Sequence, residues 1–117
     1  KKYEIPFNGK YSWLYAGEAA IAFITSVNKD LTGSHVFNLN GSCETIEYGL
    51  SLIKELNKEA NISCVDKSFP FPPDLDDLPL RNHIGDYPSI SVKKGIENTF
   101  RAFKTLKSEG RCPSLSE

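Results

Sequence analysis

The sequence has no methionine, only one tryptophan, three cysteines, and no long apolar run anywhere in its 117 residues. Each shortage excludes something. A membrane-spanning helix needs roughly 20 consecutive apolar residues, so no transmembrane segment is expected. Lys+Arg 14 against Asp+Glu 15 gives a net charge of −1. A nucleic-acid module needs a basic stripe, so no nucleic-acid partner is expected. Cys43, Cys64 and Cys112 are far apart and lack Cys-x-x-Cys spacing. An odd set of this kind predicts three reduced thiols in a cytoplasmic protein. The alternative is a secreted domain with one bridge and a spare thiol. Asn40-Gly41-Ser42 and Asn61-Ile62-Ser63 match glycosylation sequons, although Asn40-Gly41 reads equally as a turn. The N-terminus carries no signal-peptide pattern. A start at Lys1-Lys2 without methionine predicts a piece cut from a longer protein.

What is present suits one globular domain. The 39% hydrophobic and 25% charged shares are ordinary, and the length is near the commonest domain size. Residues 1–10 read as extended or loop, with Pro6 and the turn pair Asn8-Gly9. Ala16, Ala19, Ala20, Phe23 and Val27 recur at helical steps and predict one buried face. His35 to Leu39 reads as a short strand, with Val36, Phe37 and Leu39 in the core. Thr45 should cap a second helix, with Ile46, Gly49, Leu50, Ile53 and Leu56 inward and Glu47 in its first turn. Gly49 inside that face predicts a close contact. Residues 61–66 alternate like a half-exposed strand. Phe69-Pro70-Phe71-Pro72-Pro73 is a stiff loop, because proline lacks a donor and fixes φ. Asp77 should cap a short helix that ends at Gly85. Ser91 should cap the longest helix, with Val92, Ile96, Phe100, Phe103 and Leu106 buried and Gly110 past its end. Residues 111–117 read as a polar tail. The result is a small mixed α/β unit of about four helices and two or three short strands. That is too few strands for a good sheet, so they would extend a sheet supplied elsewhere.

Few residues point to chemistry on their own. There is no Gly-x-Gly-x-x-Gly turn, no phosphate-binding loop and no Gly-x-Ser-x-Gly elbow. His35 and His83 are isolated, and a metal site needs three or four converging ligands. Asp74, Asp76 and Asp77 do not have calcium-loop spacing and suit helix capping. Lys93 and Lys94 sit in a first helical turn and read as a solvated face. Trp13, with Tyr11 and Tyr15, suits either a pocket lining or the core.

Four segments together resemble the C-terminal part of the extended short-chain dehydrogenase/reductase family, the NAD(P)-dependent epimerase/dehydratases. Trp13-Leu14-Tyr15-Ala16-Gly17-Glu18-Ala19-Ala20 is similar to the family's aromatic-x-Tyr/His-Val-x-Asp-x-Ala stretch, with Glu18 for Asp. Val36-Phe37-Asn38-Leu39-Asn40-Gly41 follows, then a helix opened by Thr45. Ile84-Gly85-Asp86-Tyr87-Pro88 and Ser91-Val92-Lys93-Lys94-Gly95-Ile96 complete the order, with lysines replacing acids. The resemblance covers roughly residues 1–110. It implies the substrate-binding domain of a Rossmann-type enzyme whose N-terminal domain holds NAD or NADP on a glycine-rich turn. In the family that domain also carries a catalytic Tyr-x-x-x-Lys pair. No tyrosine here has lysine four positions later, so no catalytic, cofactor-binding or metal residue is expected in this chain. The implied partners are the missing Rossmann domain and a small-molecule substrate. The parent would be an epimerase, dehydratase or reductase, and family members often form homodimers. Nucleotide-sugar members place an arginine two positions before the first aromatic, where Tyr11 stands, and a second in a segment that has none from Ile53 to Leu80. Tyrosine cannot clamp a diphosphate bidentately; a clamp would have to move to Lys67 or Arg81. The candidate substrate contacts are therefore Tyr11, Trp13, Lys67 and Arg81. Sugars, sugar acids, nucleotide sugars and similar hydroxy/carbonyl compounds remain open as substrates. The rival reading is a non-catalytic binding or interaction domain of the same shape.

Overall fold

Local capping chemistry sets most element boundaries. The computed structural model describes residues 1–30 and 32–112. Its elements are β1 (Tyr3–Ile5), β2 (Lys10–Trp13), α1 (Ala16–Val27), β3 (Ser42–Thr45), α2 (Ile46–Leu56), β4 (Ile62–Cys64), α3 (Leu78–Ile84) and α4 (Val92–Ser108). At α2 the Thr45 hydroxyl accepts the Tyr48 N–H at 3.2 Å. At α4 the Ser91 hydroxyl accepts the Lys94 N–H at 3.3 Å. Both satisfy donors that an unpaired helix end would leave orphaned. Asp77 occupies the N-cap of α3 without capping it through its side chain. The neighbouring Asp76 carboxylate takes the Leu78 N–H instead, at 3.0 Å. Gly85 and Gly110 end α3 and α4 with φ of +85° and +67°, which glycine adopts without a Cβ penalty.

The strands form two separate pairs. β1 runs parallel to β4, with Tyr3 opposite Ile62 and Ile5 opposite Cys64. β2 runs antiparallel to β3, from Lys10 opposite Thr45 to Trp13 opposite Ser42. The described residues hold four short strands rather than two or three, and residues 1–10, expected as extended or loop, supply β1 and the start of β2. The expected strand at 35–39 does not form. A strand needs a neighbouring edge to satisfy its backbone groups, and among the described residues no strand pairs with it. Phe37 and Leu39 still pack on the core cluster of Ala22, Leu80, Ile84 and Tyr87. Val36, expected in the core, is 96% exposed.

α1 forms over the predicted span but turns the other way. Its buried residues are Glu18 and Ala22. Of the expected inner face, Ala16, Ala20, Phe23 and Val27 are exposed and Ala19 is half-buried. The helix carries two stripes, and the buried one includes Glu18, whose carboxylate is anchored at both oxygens. α2 follows expectation in part: Ile46, Gly49 and Leu50 are buried and Ile53 is half-buried, Leu52 is buried in addition, and Leu56, expected inward, is exposed. α4 packs against α2 and buries Val92. Its Ile96, Phe100 and Leu106 are half-buried, and Phe103 is exposed. Cys43, Cys64 and Cys112 are free thiols. Only the first two residues of the expected tail lie within the described part; residues 113–117 lie outside it. Among the described residues no helix is long and apolar enough to cross a membrane.

Candidate functional site

Strand alternation places Tyr11 and Trp13 on one face of β2 and Ser12 on the other. The Ser12 hydroxyl accepts the Gly41 N–H at 2.8 Å. The Trp13 indole lies over Gly49 of α2, and its Nε1–H donates to the Glu44 carbonyl at 3.0 Å. That is the close contact Gly49 predicts, made by a ring. The Tyr11 hydroxyl donates to the Asn8 carbonyl at 3.0 Å and accepts the Phe69 N–H at 2.8 Å. It ties the Pro-rich loop to the β1–β2 turn. Phe7 meets the Tyr11 ring edge-on at 5.7 Å and the Phe69 ring at 5.1 Å.

Beyond Trp13 an apolar groove of about 500 Å³ opens between the start of α1 and α4. Tyr15, Ile53, Ile90, Phe100 and Phe103 are among its walls. Glu18 also lines it and is 3% exposed. One carboxylate oxygen accepts the Tyr15 N–H at 3.1 Å and the other accepts the Ile90 N–H. Glu18 therefore closes the first turn of α1 and pins the segment that leads into α4. Its charge is already spent on backbone donors. The groove can hold an apolar surface by size and lining. It offers no cation for a phosphate or carboxylate.

The four predicted contacts do not converge. Lys67 is exposed beyond β4; its carbonyl accepts the Asn8 N–H at 2.7 Å, which places it near Tyr11. Arg81 lies on α3 in a different cluster. Its guanidinium reaches Asp77 at 3.0 Å, donates to the Tyr87 carbonyl at 3.3 Å, and lies 4.0 Å above the Tyr87 ring. The Tyr87 hydroxyl donates to the same Asp77 oxygen. Burial alone would raise the Asp77 carboxyl, but the Arg81 and Tyr87 hydrogen bonds and the Arg81 charge outweigh it and hold it below the usual carboxylate value. The Asp77 hydrogen bond in turn raises Arg81. Burial, followed by the Asp77 hydrogen bond and charge, raises the Tyr87 phenol. This triad staples α3 to the 85–88 segment.

A second hollow is rimmed by Asn40, Asp74, Asp76 and Asp77. The Asn40 amide donates to Asp74 at 2.6 Å, and Asn38 donates to the Asp76 carbonyl at 3.3 Å. Its sign repels anionic ligands. Among the described residues no group of three or more His, Cys, Asp or Glu is arranged to hold a metal ion. His35 and His83 are neighbours, with ring centroids 5.6 Å apart. Trp13 and Tyr15, expected as pocket lining or core, line the apolar groove, whereas the Asp77–Arg81–Tyr87 staple and this histidine pair are not expected from the sequence. Glu18, an acid inside an apolar stretch, and the four-residue spacing of Asp77 and Arg81 are further signals in the sequence.

No protein-family model matches the chain, and the comparison with curated proteins gave no match. The fold, a small mixed α/β unit, is similar to part of L-threonine 3-dehydrogenase from Trypanosoma brucei, with a TM-score of 0.73 at 17% sequence identity. That likeness covers 92% of this chain and 37% of the dehydrogenase, so the chain spans little more than a third of the protein it resembles.

Proposed function

We propose that the chain is the substrate-recognition part of an NAD(P)-dependent oxidoreductase or epimerase of the short-chain dehydrogenase type. The reading is carried by one observation: the order of four motifs in the sequence coincides with a fold similar to 37% of a dehydrogenase. Two exposed features support it. Phe23, Ile24 and Val27 of α1 are exposed, and the extended 35–39 segment belongs to neither strand pair. In this reading both features face a cofactor-binding domain outside this chain. The N-termini of α1 and α2 do not suit a dinucleotide. Glu18 and Glu47 put carboxylates in the first turns of α1 and α2, where a pyrophosphate would need positive potential. Arg81 is already held by Asp77, which weighs toward a sugar, sugar acid or other small hydroxy/carbonyl substrate over a diphosphate-bearing one. Lys67, which lies near Tyr11, remains a polar contact for such a substrate, while Trp13 lines the apolar groove instead.

Titration of the isolated chain with NADH and NADPH, followed by nucleotide fluorescence, tests the division of labour. No saturable binding is expected. Micromolar binding to this chain overturns the assignment. A parent reading frame without a glycine-rich turn and a Tyr-x-x-x-Lys upstream would leave the rival, an interaction domain, which the apolar lining of the groove favours.

A further inference from the structure

Two Asn-Gly pairs occur in the sequence, Asn8-Gly9 and Asn40-Gly41. In such pairs the nitrogen after asparagine is the least shielded, because glycine has no Cβ. The fold treats the two pairs differently. At the first, the Gly9 N–H donates to the Asn8 side-chain Oδ1 at 2.7 Å. The nucleophile therefore sits beside the Cγ carbonyl it would attack. The backbone around it is held: the Asn8 N–H donates to the Lys67 carbonyl at 2.7 Å, and the Gly9 carbonyl accepts the Ile46 N–H at 3.0 Å. The Asn8 side-chain nitrogen donates to Glu47. At the second pair the Gly41 N–H donates away from its asparagine, to Ser12 Oγ at 2.8 Å. A Cβ at Gly41 would lie 2.0 Å from the Trp13 carbonyl oxygen, so this backbone is also packed in place. The Asn40 side-chain nitrogen donates to Asp74.

We propose that Asn8 is a site of spontaneous deamidation selected by the fold, and that Asn40 is protected. The Gly9 nitrogen loses its proton to solvent hydroxide and bonds to Asn8 Cγ. The Cγ–Nδ2 bond breaks, and the amide nitrogen leaves as ammonia after taking a proton from solvent. Water then opens either carbonyl of the cyclic imide, giving aspartate or isoaspartate at this position. One water enters, one ammonia leaves, and nothing is oxidised. A nucleophile held next to its carbonyl has prepaid the entropy of approach. The new carboxylate faces Glu47, and the isoaspartyl form lengthens the backbone between the Lys67 and Ile46 hydrogen bonds. Both changes loosen the corner that joins the β1–β4 pair to α2.

The test is incubation of the intact chain in mildly alkaline buffer made with heavy-oxygen water, followed by digestion and mass spectrometry. The Asn8 peptide should convert several-fold faster than the Asn40 peptide, gain one heavy oxygen, and appear as both isomers. In denaturant the two rates should converge, since both are then the same dipeptide in an open chain. Equal rates in the folded chain, a faster Asn40, or a ratio unchanged by denaturant would each overturn the proposal.

Discussion

A methyl group at Gly49 would lie 2.3 Å from the Trp13 ring, and the bond from Trp13 to the Glu44 carbonyl fixes that ring. Alanine gains roughly 1 kcal/mol of helix propensity over glycine. Overpacking of about 1–3 kcal/mol works against it, and the ring has little room to retreat. Gly49→Ala should therefore lower stability in urea titration and shift the emission of the single tryptophan. Asp77 makes the second test at this scale. Its carboxyl is held below the ordinary value of 3.8, so its contribution is whole above that value and is lost as pH falls through the lower folded value. Asp77→Asn should cost about 1–3 kcal/mol at neutral pH, because it removes the charged hydrogen bond to Arg81. It should also flatten the acid limb of a stability–pH curve recorded by chemical denaturation. A stability–pH curve that keeps the wild-type acid limb would refute this role. Arg81 was legible as a cation of interest. Its occupation by Asp77 is signalled only by their four-residue spacing, and Tyr87 completes the cluster only after the chain has passed α3.

At the scale of elements, caps and periods were legible and pairings were not. Thr45, Ser91, Gly85 and Gly110 marked helix ends correctly because capping is a local hydrogen bond or a local φ. The β1–β4 and β2–β3 pairs join residues far apart in sequence, which no local pattern in Tyr3–Ile5 announces. The 35–39 segment shows the reverse case. It has the composition of a strand, but strand formation also requires a partner edge. The face of α1 was misread because the helix has apolar residues on two sides. Sequence spacing favours the larger stripe, whereas Glu18 anchors the smaller one inward. A direct prediction follows for the outer stripe. Replacing Phe23 and Val27, 68% and 85% exposed, by serine should change unfolding free energy by no more than about 0.5 kcal/mol per site. The same pair should reduce binding of an apolar dye. A large loss of stability in urea would show that this face is packed in the isolated chain.

At the scale of the whole molecule, the chain is open for its length. The radius of gyration is 16.8 Å, against about 13 Å for a compact domain of 100 residues. Among the described residues no large side chain is completely buried. The core is split between the Ala22, Leu80, Ile84 and Tyr87 cluster and the packing of α2 on α4. Such a layout matches the proposed role, since a part that covers a larger body need not bury all its own apolar surface. The parallel pairing of β1 with β4 carries one more consequence, for the order of assembly. Tyr3 meets Ile62, and Glu4 meets Ser63 across 59 positions. Closing so long a loop must precede any gain from the ladder, and the entropy of closure opposes it. α2 needs no such closure and forms early. On a ribosome, β1 is therefore made long before it can find its place, idle until Cys64 has emerged.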